Sequence, residues 1–169
     1  MLLPENINSI TKSTFGNQFT ERHISCTNKK RIEVNNRMMD QVVKQKRKKP
    51  LTLEKLSWDK NSQRVELLQS MPVIARVNNK SYDICNNEQF TIKKITKDNI
   101  IVYDDEKEIE IPIDKFQRLF YVAFCITVYK SQGSTFDYPY SIHEFEHFDN
   151  RLKYVALSRS SNITHINTR

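Results

Sequence analysis

Hydrophobic and polar positions change their period along the chain, and each period predicts a different kind of element. Residues 1–21 are polar and lack strong periodicity, which predicts a linker or a short lead-in helix. The run Arg22–Asn28 is typical of a short strand. In Lys29–Lys46 apolar residues recur at helical spacing, and basic residues followed by Pro50 predict where that helix ends.

Short β-prone runs with tight polar connections fill residues 71–116 and predict a small antiparallel β module. Its predicted strands are Met71–Val77, Gln89–Ile95, Asn99–Tyr103 and Glu108–Ile113. The run at 100–106 imitates a Walker B strand, because acidic residues follow an apolar stretch. Since another strand-like run follows at once, Asp104–Lys107 is instead predicted to be a hairpin turn.

The last third of the chain alternates strand-like and helix-like segments. Phe136–Ile142 and Ile163–Ile166 predict strands, and Asn150–Arg159 predicts a helix. Strands interleaved with helices favour an α/β fold with a mainly parallel sheet. We therefore predict one α/β domain formed by residues 22–70 and 117–169 and interrupted by the β module of residues 71–116.

Three short segments carry candidate chemistry. In chain order, Cys26–Arg31 reads CTNKKR, Thr127–Thr135 reads TVYKSQGST, and Tyr154–Arg159 reads YVALSR. They resemble motif IV, motif V and motif VI of superfamily 1 DNA helicases, especially the PIF-type and RecD-like group. Over about residues 22–166 the chain is therefore similar to the C-terminal RecA-like motor domain of these enzymes.

The resemblance implies an ATP-dependent DNA helicase that translocates along single-stranded DNA, with a P-loop NTPase-type sheet and an SH3-like insertion. Arg159 would be the arginine finger, which contributes roughly 10³- to 10⁵-fold in rate in well-studied phosphoryl-transfer systems. Small hydroxyls and a lysine suit a grip on the DNA backbone, because they contact phosphates without reading bases. The residues implied to bind DNA are Thr27, Asn28, Thr127, Tyr129, Lys130, Ser131 and Thr135. Those implied to approach the nucleotide are Gln132, Ser158 and Gly133, whose missing side chain lets main chain come close.

The chain departs from the family pattern at two positions and lacks one motif. Tyr129 stands where the family has histidine, and Asn87 stands where it has glycine in a turn, a conformation that asparagine tolerates. A phosphate loop, G-x-x-x-x-G-K-[ST], cannot be built from Gly16 and Gly133, the two glycines of the sequence. ATP with Mg²⁺ is therefore expected to be bound mainly by an N-terminal motor domain, in cis or in trans. This chain alone is predicted to be inactive, as an excised domain or a fragment of a longer polypeptide.

The charge of the chain indicates the class of molecule that it binds. The net charge of +7 and the pI of about 9.3 fit a polyanion such as single-stranded DNA. The basic run Lys44–Lys49 is compatible with a solvated helix end, a phosphate contact or a nuclear import signal.

With no secretory signal and no apolar run near the ~20 residues of a membrane span, a nuclear or cytoplasmic protein is expected. The richness in Lys, Asn and Ile favours an AT-rich source such as a large DNA virus. Three separated cysteines are interpreted as reduced core residues rather than a zinc knuckle.

Two alternatives from other functional classes stay open. The first is a stand-alone nucleic-acid-binding module derived from a helicase domain, which would bind DNA with steep salt dependence and no response to ATP. The second, more remote, is a zinc peptidase, because His143–His147 matches the signature H-E-x-x-H. That chemistry requires both histidines on one face of a helix, together with a third ligand.

Overall fold

Strands outnumber helices in the computed structural model, which describes residues 20–169. Most of the predicted lead-in at 1–21 lies outside the described residues. In chain order the elements are β1 (Arg22–Ser25), α1 (Asn28–Lys46), β2 (Leu51–Leu53), β3 (Val65–Leu67), β4 (Pro72–Ala75), β5 (Gln89–Ile95), β6 (Asn99–Tyr103), β7 (Glu108–Pro112), α2 (Ile113–Leu119), β8 (Phe120–Val122), β9 (Cys125–Thr127), β10 (Tyr140–Ile142), α3 (Asn150–Leu157) and β11 (Ile166–Thr168). Short 3-10 helices cover Lys80–Tyr82, Phe145–His147 and Ile163–His165.

A parallel sheet has the strand order β11-β10-β1-β9. Nearly every residue of these strands is buried, which is typical of parallel sheets because both of their faces are covered. The register pairs Ser25 of β1 with Thr127 of β9, and Ile24 with Ile142 of β10. The predicted mainly parallel sheet is thus confirmed. Parallel strands end at a common edge, so the residues that follow β1, β9 and β10 emerge side by side.

An antiparallel sheet has the strand order β7-β6-β5-β4-β8, which confirms the predicted antiparallel β module. Burial alternates along β6 and β7, as expected for strands with one face on a core. The rings of Phe116 in α2 and Phe120 in β8 stack with centroids 5.4 Å apart. Phe90 of β5 meets Phe120 edge-on at 5.7 Å, so these rings tie α2 to the sheet.

Two predicted turns are confirmed by the backbone. Between β6 and β7 the Asp104 amide donates to the Lys107 carbonyl at 3.0 Å, and Asp104 Oδ1 accepts from the amides of Glu106 and Lys107. This acidic run is therefore the turn of a hairpin and not the end of a Walker B strand. Asn87 has a φ of 72°, so it adopts the left-handed conformation that its place in the turn requires.

The antiparallel pair of β2 and β3 was not predicted from the sequence. Each strand has three residues, which is too short to display a period of two. A loop of residues 54–64 joins them.

Several sequence predictions are wrong in detail. Three predicted elements are longer than those observed, namely the strand Arg22–Asn28, the strand Met71–Val77 and the helix Asn150–Arg159. The closing strand begins at Ile166 rather than Ile163, because Asn162 Oδ1 accepts from Thr164 and caps a 3-10 turn before the strand. The predicted strand at 136–142 is reduced to β10, because the Phe136 amide is bonded to the carbonyl of Arg159 instead of a neighbouring strand. Cys85 is exposed rather than a core residue, since it lies in a polar turn where its amide donates to Glu88.

The chain divides into two compact units. One, the parallel-sheet unit, contains the described residues up to Val34 together with Cys125–Arg169. The other, the antiparallel-sheet unit, is Asn35–Phe124, and it includes β8, which lies beyond the predicted module of residues 71–116. The predicted domain limits and the SH3-like type of the insertion stay predictions, because compactness alone does not define an independently folding domain. In the described part of the chain, every helix is too short or too polar to cross a bilayer.

Candidate functional site

Two of the three helicase-like segments emerge from adjacent strands of the parallel sheet. Thr27 follows the end of β1, and the segment 127–135 begins at the end of β9. The Val128 amide donates to the Ser25 carbonyl at 2.9 Å, which extends the contact between the two strands beyond their last paired residues. The fold therefore places these segments side by side at the carboxyl edge of the sheet, where α/β proteins commonly bind ligands.

Thr27 and Asn28 form the exposed N-terminal end of α1. Thr27 Oγ1 accepts from the Lys30 amide at 3.1 Å, which is the bond of an N-cap. Asn28 Oδ1 accepts from Nε of the buried Arg31 at 3.0 Å. Both side chains therefore organise the helix start, and both remain accessible to solvent.

Glu144 binds the same helix end and was not predicted as a site residue. Its carboxylate accepts from the amides of Cys26 and Thr27 at 3.1 and 2.9 Å, and from Thr27 Oγ1 at 3.0 Å. Glu144 follows β10 with a φ of 61°, so its position depends on the sheet order and on a local turn. Burial raises the pKa of the Cys26 thiol, and the charges of Glu144 and Asp149 raise it further. In the sequence, Glu144 stands out only as the second residue of H-E-x-x-H.

Residues 128–134 form a tight turn after β9. The Ser131 amide donates to the carbonyls of Thr127 and Val128 at 3.1 and 3.2 Å, and Ser131 Oγ donates to the Val128 carbonyl at 2.7 Å. Gly133 has a φ of 85°, and a Cβ there would meet no other atom within 4 Å. Glycine is therefore favoured at this position by backbone conformation rather than by lack of space.

The predicted residues of this turn differ in their accessibility. Tyr129 is 60% exposed, whereas Thr127 and Ser131 are buried. Lys130 is half-buried, and the remaining predicted positions, Gln132, Gly133 and Thr135, are exposed. Tyr129, Gln132 and Gly133 of the turn are thus open to solvent, whereas the Ser131 hydroxyl is buried and bonded to the Val128 carbonyl.

Arg159 joins the end of α3 to this turn. Its Nη1 donates to the carbonyls of Ser131 and Ser134 at 3.1 and 3.0 Å. Its Nε donates to the Val155 carbonyl at 2.7 Å, and its Nη2 donates to Ser158 Oγ at 2.9 Å. The segment resembling motif VI is therefore bonded directly to the segment resembling motif V, a contact that sequence reasoning did not predict.

The helix that carries Arg159 is itself fixed at both ends. Asp149 caps its start, with Oδ1 accepting from the Leu152 amide at 2.7 Å. Near its end the buried Tyr140 hydroxyl donates to the Ala156 carbonyl at 2.7 Å. Because Tyr140 belongs to β10, this bond fixes the position of α3 relative to the sheet.

The zinc-peptidase alternative does not fit the geometry. His143 is buried directly after β10, and its Nε2 lies 3.1 Å from Nδ1 of the buried His23. His147 is exposed at the end of the 3-10 helix Phe145–His147, so the two histidines of the signature do not share a face of an α-helix. Within residues 20–169 there is no cluster of three or more His, Cys, Asp or Glu side chains suited to a metal ion.

The fold matches solved structures of Pif1 helicases over nearly the whole chain. A Pif1 structure concerned with DNA unwinding at forked double-stranded DNA matches with a TM-score of 0.74 and 20% identity, over 98% of this chain and 45% of that one. Bacteroides Pif1 in complex with ADP-AlF3 and single-stranded DNA matches with a TM-score of 0.68 and 21% identity, over 98% of this chain and 47% of that one. Candida albicans Pif1 matches with a TM-score of 0.64 and 12% identity, over 90% of this chain and 45% of that one. The chain has the fold of one half of a Pif1 helicase.

The Pif1 fold accounts for both sheets, since it combines an α/β parallel sheet with an antiparallel five-stranded insertion. The chain spans about half the length of the Pif1 structures that it matches. No protein-family model matches the sequence, and no curated protein matches it. The Pif1 comparison thus establishes the fold, and the roles of individual residues have to be argued from their geometry.

Proposed function

We propose that this chain is the C-terminal motor domain of an ATP-dependent DNA helicase that translocates along single-stranded DNA. The observation that carries the proposal is the pair of bonds from Arg159 to the carbonyls of Ser131 and Ser134. A helicase motor must transmit the state of its nucleotide to the segment that holds DNA. Here the Arg159 guanidinium, a group well suited to bind phosphate, is bonded to the turn of residues 128–134, which carries residues proposed to bind DNA.

The DNA grip of this proposal consists of the exposed and half-buried residues at the sheet edge. Thr27 and Asn28 lie exposed at the N-terminal end of α1, where the Glu144 carboxylate already accepts from Thr27. Lys130 adds the positive charge for a phosphate, beside the exposed Tyr129 and Thr135. Tyr129 can stack on a base, a role that is compatible with its position in place of the family's histidine. Thr127 and Ser131, which are buried, would serve the grip by holding the turn rather than by touching phosphate.

The nucleotide part of the proposal assigns Arg159 as the arginine finger. ATP bound with Mg²⁺ by an N-terminal motor domain supplies the γ-phosphoryl group, and the half-buried guanidinium would exchange a carbonyl partner for its oxygens. Ser158 and the exposed Gln132 and Gly133 belong to the same cluster. Bacteroides Pif1, which shares the fold, binds both ADP-AlF3 and single-stranded DNA, and this supports a site for each.

The DNA part is tested by the salt dependence of binding. Oligothymidylate affinity is measured by fluorescence anisotropy at several salt concentrations for the wild type and for Lys130→Ala. Loss of one phosphate contact should weaken binding and lower the magnitude of the salt slope by about 0.7 to 1. Lys97→Ala, which removes an exposed lysine of the antiparallel-sheet unit, is the matched control. An unchanged slope for Lys130→Ala would remove Lys130 from the DNA site.

The motor part is tested by ATP turnover in a protein that also carries a phosphate-loop motor domain. Arg159→Ala should abolish DNA-stimulated ATP hydrolysis, because the finger acts on the transition state. DNA binding should persist at low salt, although it should be weaker than in the wild type because the turn loses two hydrogen bonds. Normal turnover would refute the assignment. DNA binding that never responds to ATP in that protein would favour the stand-alone nucleic-acid-binding module instead.

A further inference from the structure

Trp58 is the single tryptophan of the chain and the most exposed large hydrophobic side chain among the described residues, at 64%. It lies in the loop 54–64 of the antiparallel-sheet unit. Tryptophan is highly buried on average, so an indole left largely in water needs an explanation. No other large hydrophobic side chain of this loop is exposed.

The loop that carries Trp58 is closed by its own hydrogen bonds. The Asp59 amide donates to the Leu56 carbonyl at 3.2 Å, and the Ser62 amide donates to the Asp59 carbonyl at 3.0 Å. The Leu56 amide donates to Ser62 Oγ at 3.0 Å, and the Asn61 amide donates to Asp59 Oδ1 at 2.9 Å. These bonds on both sides of Trp58 define one loop conformation.

A nearly buried ion pair anchors the loop directly beside the indole. Arg76 Nη1 lies 2.7 Å from Asp59 Oδ2, and the two side chains are 12% and 9% exposed. The Tyr121 hydroxyl donates to the same carboxylate oxygen at 2.9 Å. The Arg76 guanidinium carbon lies 5.5 Å from the centroid of the Trp58 ring and 4.4 Å from that of Tyr121. Such a pair is costly to desolvate, and here it holds an exposed indole in one place.

The charges around Trp58 favour an anionic ligand. Of the two acidic residues of the loop, Asp59 is paired with Arg76 in a nearly buried ion pair. Glu54 is 78% exposed and lies 3.4 Å from Arg64, which also pairs with Glu66 at 2.9 Å. Lys55 lies three residues before Trp58 in the chain and Lys60 lies two residues after it. Both are exposed, and neither takes part in an ion pair within residues 20–169. The loop therefore carries two exposed positive charges that are close in sequence to its exposed aromatic ring.

We propose that Trp58 is a stacking platform for an unpaired base of single-stranded nucleic acid, and that Lys55 and Lys60 contact the phosphates on either side. Bases of any type can stack on an indole while lysines follow the backbone, so the platform would bind without sequence preference. The inference rests on the proposed function, because single-stranded DNA is the ligand proposed there. It adds a base-contacting site in the antiparallel-sheet unit, separate in residues from the grip at the parallel-sheet edge.

The intrinsic fluorescence of this chain reports the proposed contact directly, because all tryptophan emission comes from Trp58. Oligothymidylate is added while the anisotropy of a label on the DNA and the emission of Trp58 are recorded together. Stacking should quench the emission in step with binding. An abasic oligonucleotide of the same length should bind more weakly and leave the emission nearly unchanged, because it offers charge without bases.

Substitutions separate stacking from general folding effects. Trp58→Ala should weaken oligothymidylate binding by about 5- to 150-fold, the range for loss of one stacked base. Trp58→Phe, which keeps a stacking ring, should restore most of the affinity. Tyr103→Ala, which removes an exposed aromatic ring from β6 of the same unit, is the matched control and should bind like the wild type.

Each contrary outcome has a distinct meaning. Binding by anisotropy without quenching, and with Trp58→Ala unaffected, would overturn the platform and leave the proposed function standing. Absence of any binding at low salt would overturn both. A blue shift of Trp58 emission with rising protein concentration in the absence of DNA would show that the indole docks against a second copy of the chain, and would also overturn the platform.

Discussion

Removal of the Arg159 side chain should loosen the turn of residues 128–134 as well as remove a catalytic group. Arg159→Ala deletes two local hydrogen bonds within the end of α3 and two bonds that reach the carbonyls of Ser131 and Ser134. Hydrogen bonds from a charged group contribute roughly 1.5–3 kcal/mol each. Because the guanidinium is half-buried, about 1 kcal/mol is taken for each of the two long-range bonds, which gives a loss of about 2 kcal/mol.

The stability loss is measurable by urea and thermal denaturation followed by circular dichroism. For a chain of this length a loss of 1 kcal/mol lowers the Tm by about 2–4 °C, so Arg159→Ala should lower it by about 4–8 °C. Arg151→Ala removes an equal charge from an exposed position of the same helix and should change the Tm little. Arg159→Lys keeps the charge but not the planar fork, so it should recover only part of the loss.

Equal stability of Arg159→Ala and Arg151→Ala would refute this reasoning. The bonds between α3 and the turn would then contribute nothing in solution, and the proposed connection between nucleotide sensing and DNA holding would lose its structural support. A loss of ATP turnover in Arg159→Ala would in that case be attributable to the transition state alone.

Two further predictions concern backbone conformation and pH. Gly133→Ala should lower the free energy of unfolding by about 1–2 kcal/mol through the left-handed φ of 85° alone, and equal stability in urea would show that the turn relaxes freely. Burial by itself would raise the pKa of Asp59, but hydrogen bonds from the Asn61 amide and the Tyr121 hydroxyl, with the adjacent guanidinium, lower it. A depressed folded-state pKa stabilises the protein fully above the unfolded value of about 4, and this contribution is lost as the pH falls through the folded value. The stability difference between the wild type and Asp59→Asn should therefore shrink on acidification below about pH 4, and a difference independent of pH in urea titrations would contradict the assignment.

The local spacing of hydrophobic and polar residues was sufficient to predict the elements that are long or regular. The helical spacing in 29–46 predicted α1, and the limits predicted for β5 and β6 are those observed. These elements carry enough residues for a period to be visible, and their ends are marked by turn residues such as Asp104 and Asn87. The three-residue strands β2 and β3 carry no such signal, and they form because their partners lie across a loop.

At the candidate site too, the sequence predicted some features and left others to the tertiary structure. The residues that resemble helicase motifs could be named from the chain alone, because their types and order are visible there. Their partners could not, since Glu144 reaches Thr27 across 117 positions, and Arg159 reaches Ser131 across 28. Likewise, the ion pair of Asp59 and Arg76 beside Trp58 could not be predicted, because the two residues are too far apart in the chain for a local pattern to link them.

The sequence by itself determined the fold class, the main elements and the residue types available for chemistry, because these follow from local periodicity and motif order. Only the tertiary structure decided which hydroxyl residues near the turn are buried, which carbonyls hold Arg159 and which carboxylate binds the backbone just before α1. The physical reason is that burial and long-range hydrogen bonding depend on the order and register of the strands. In a parallel sheet these bring together segments that are distant in the chain.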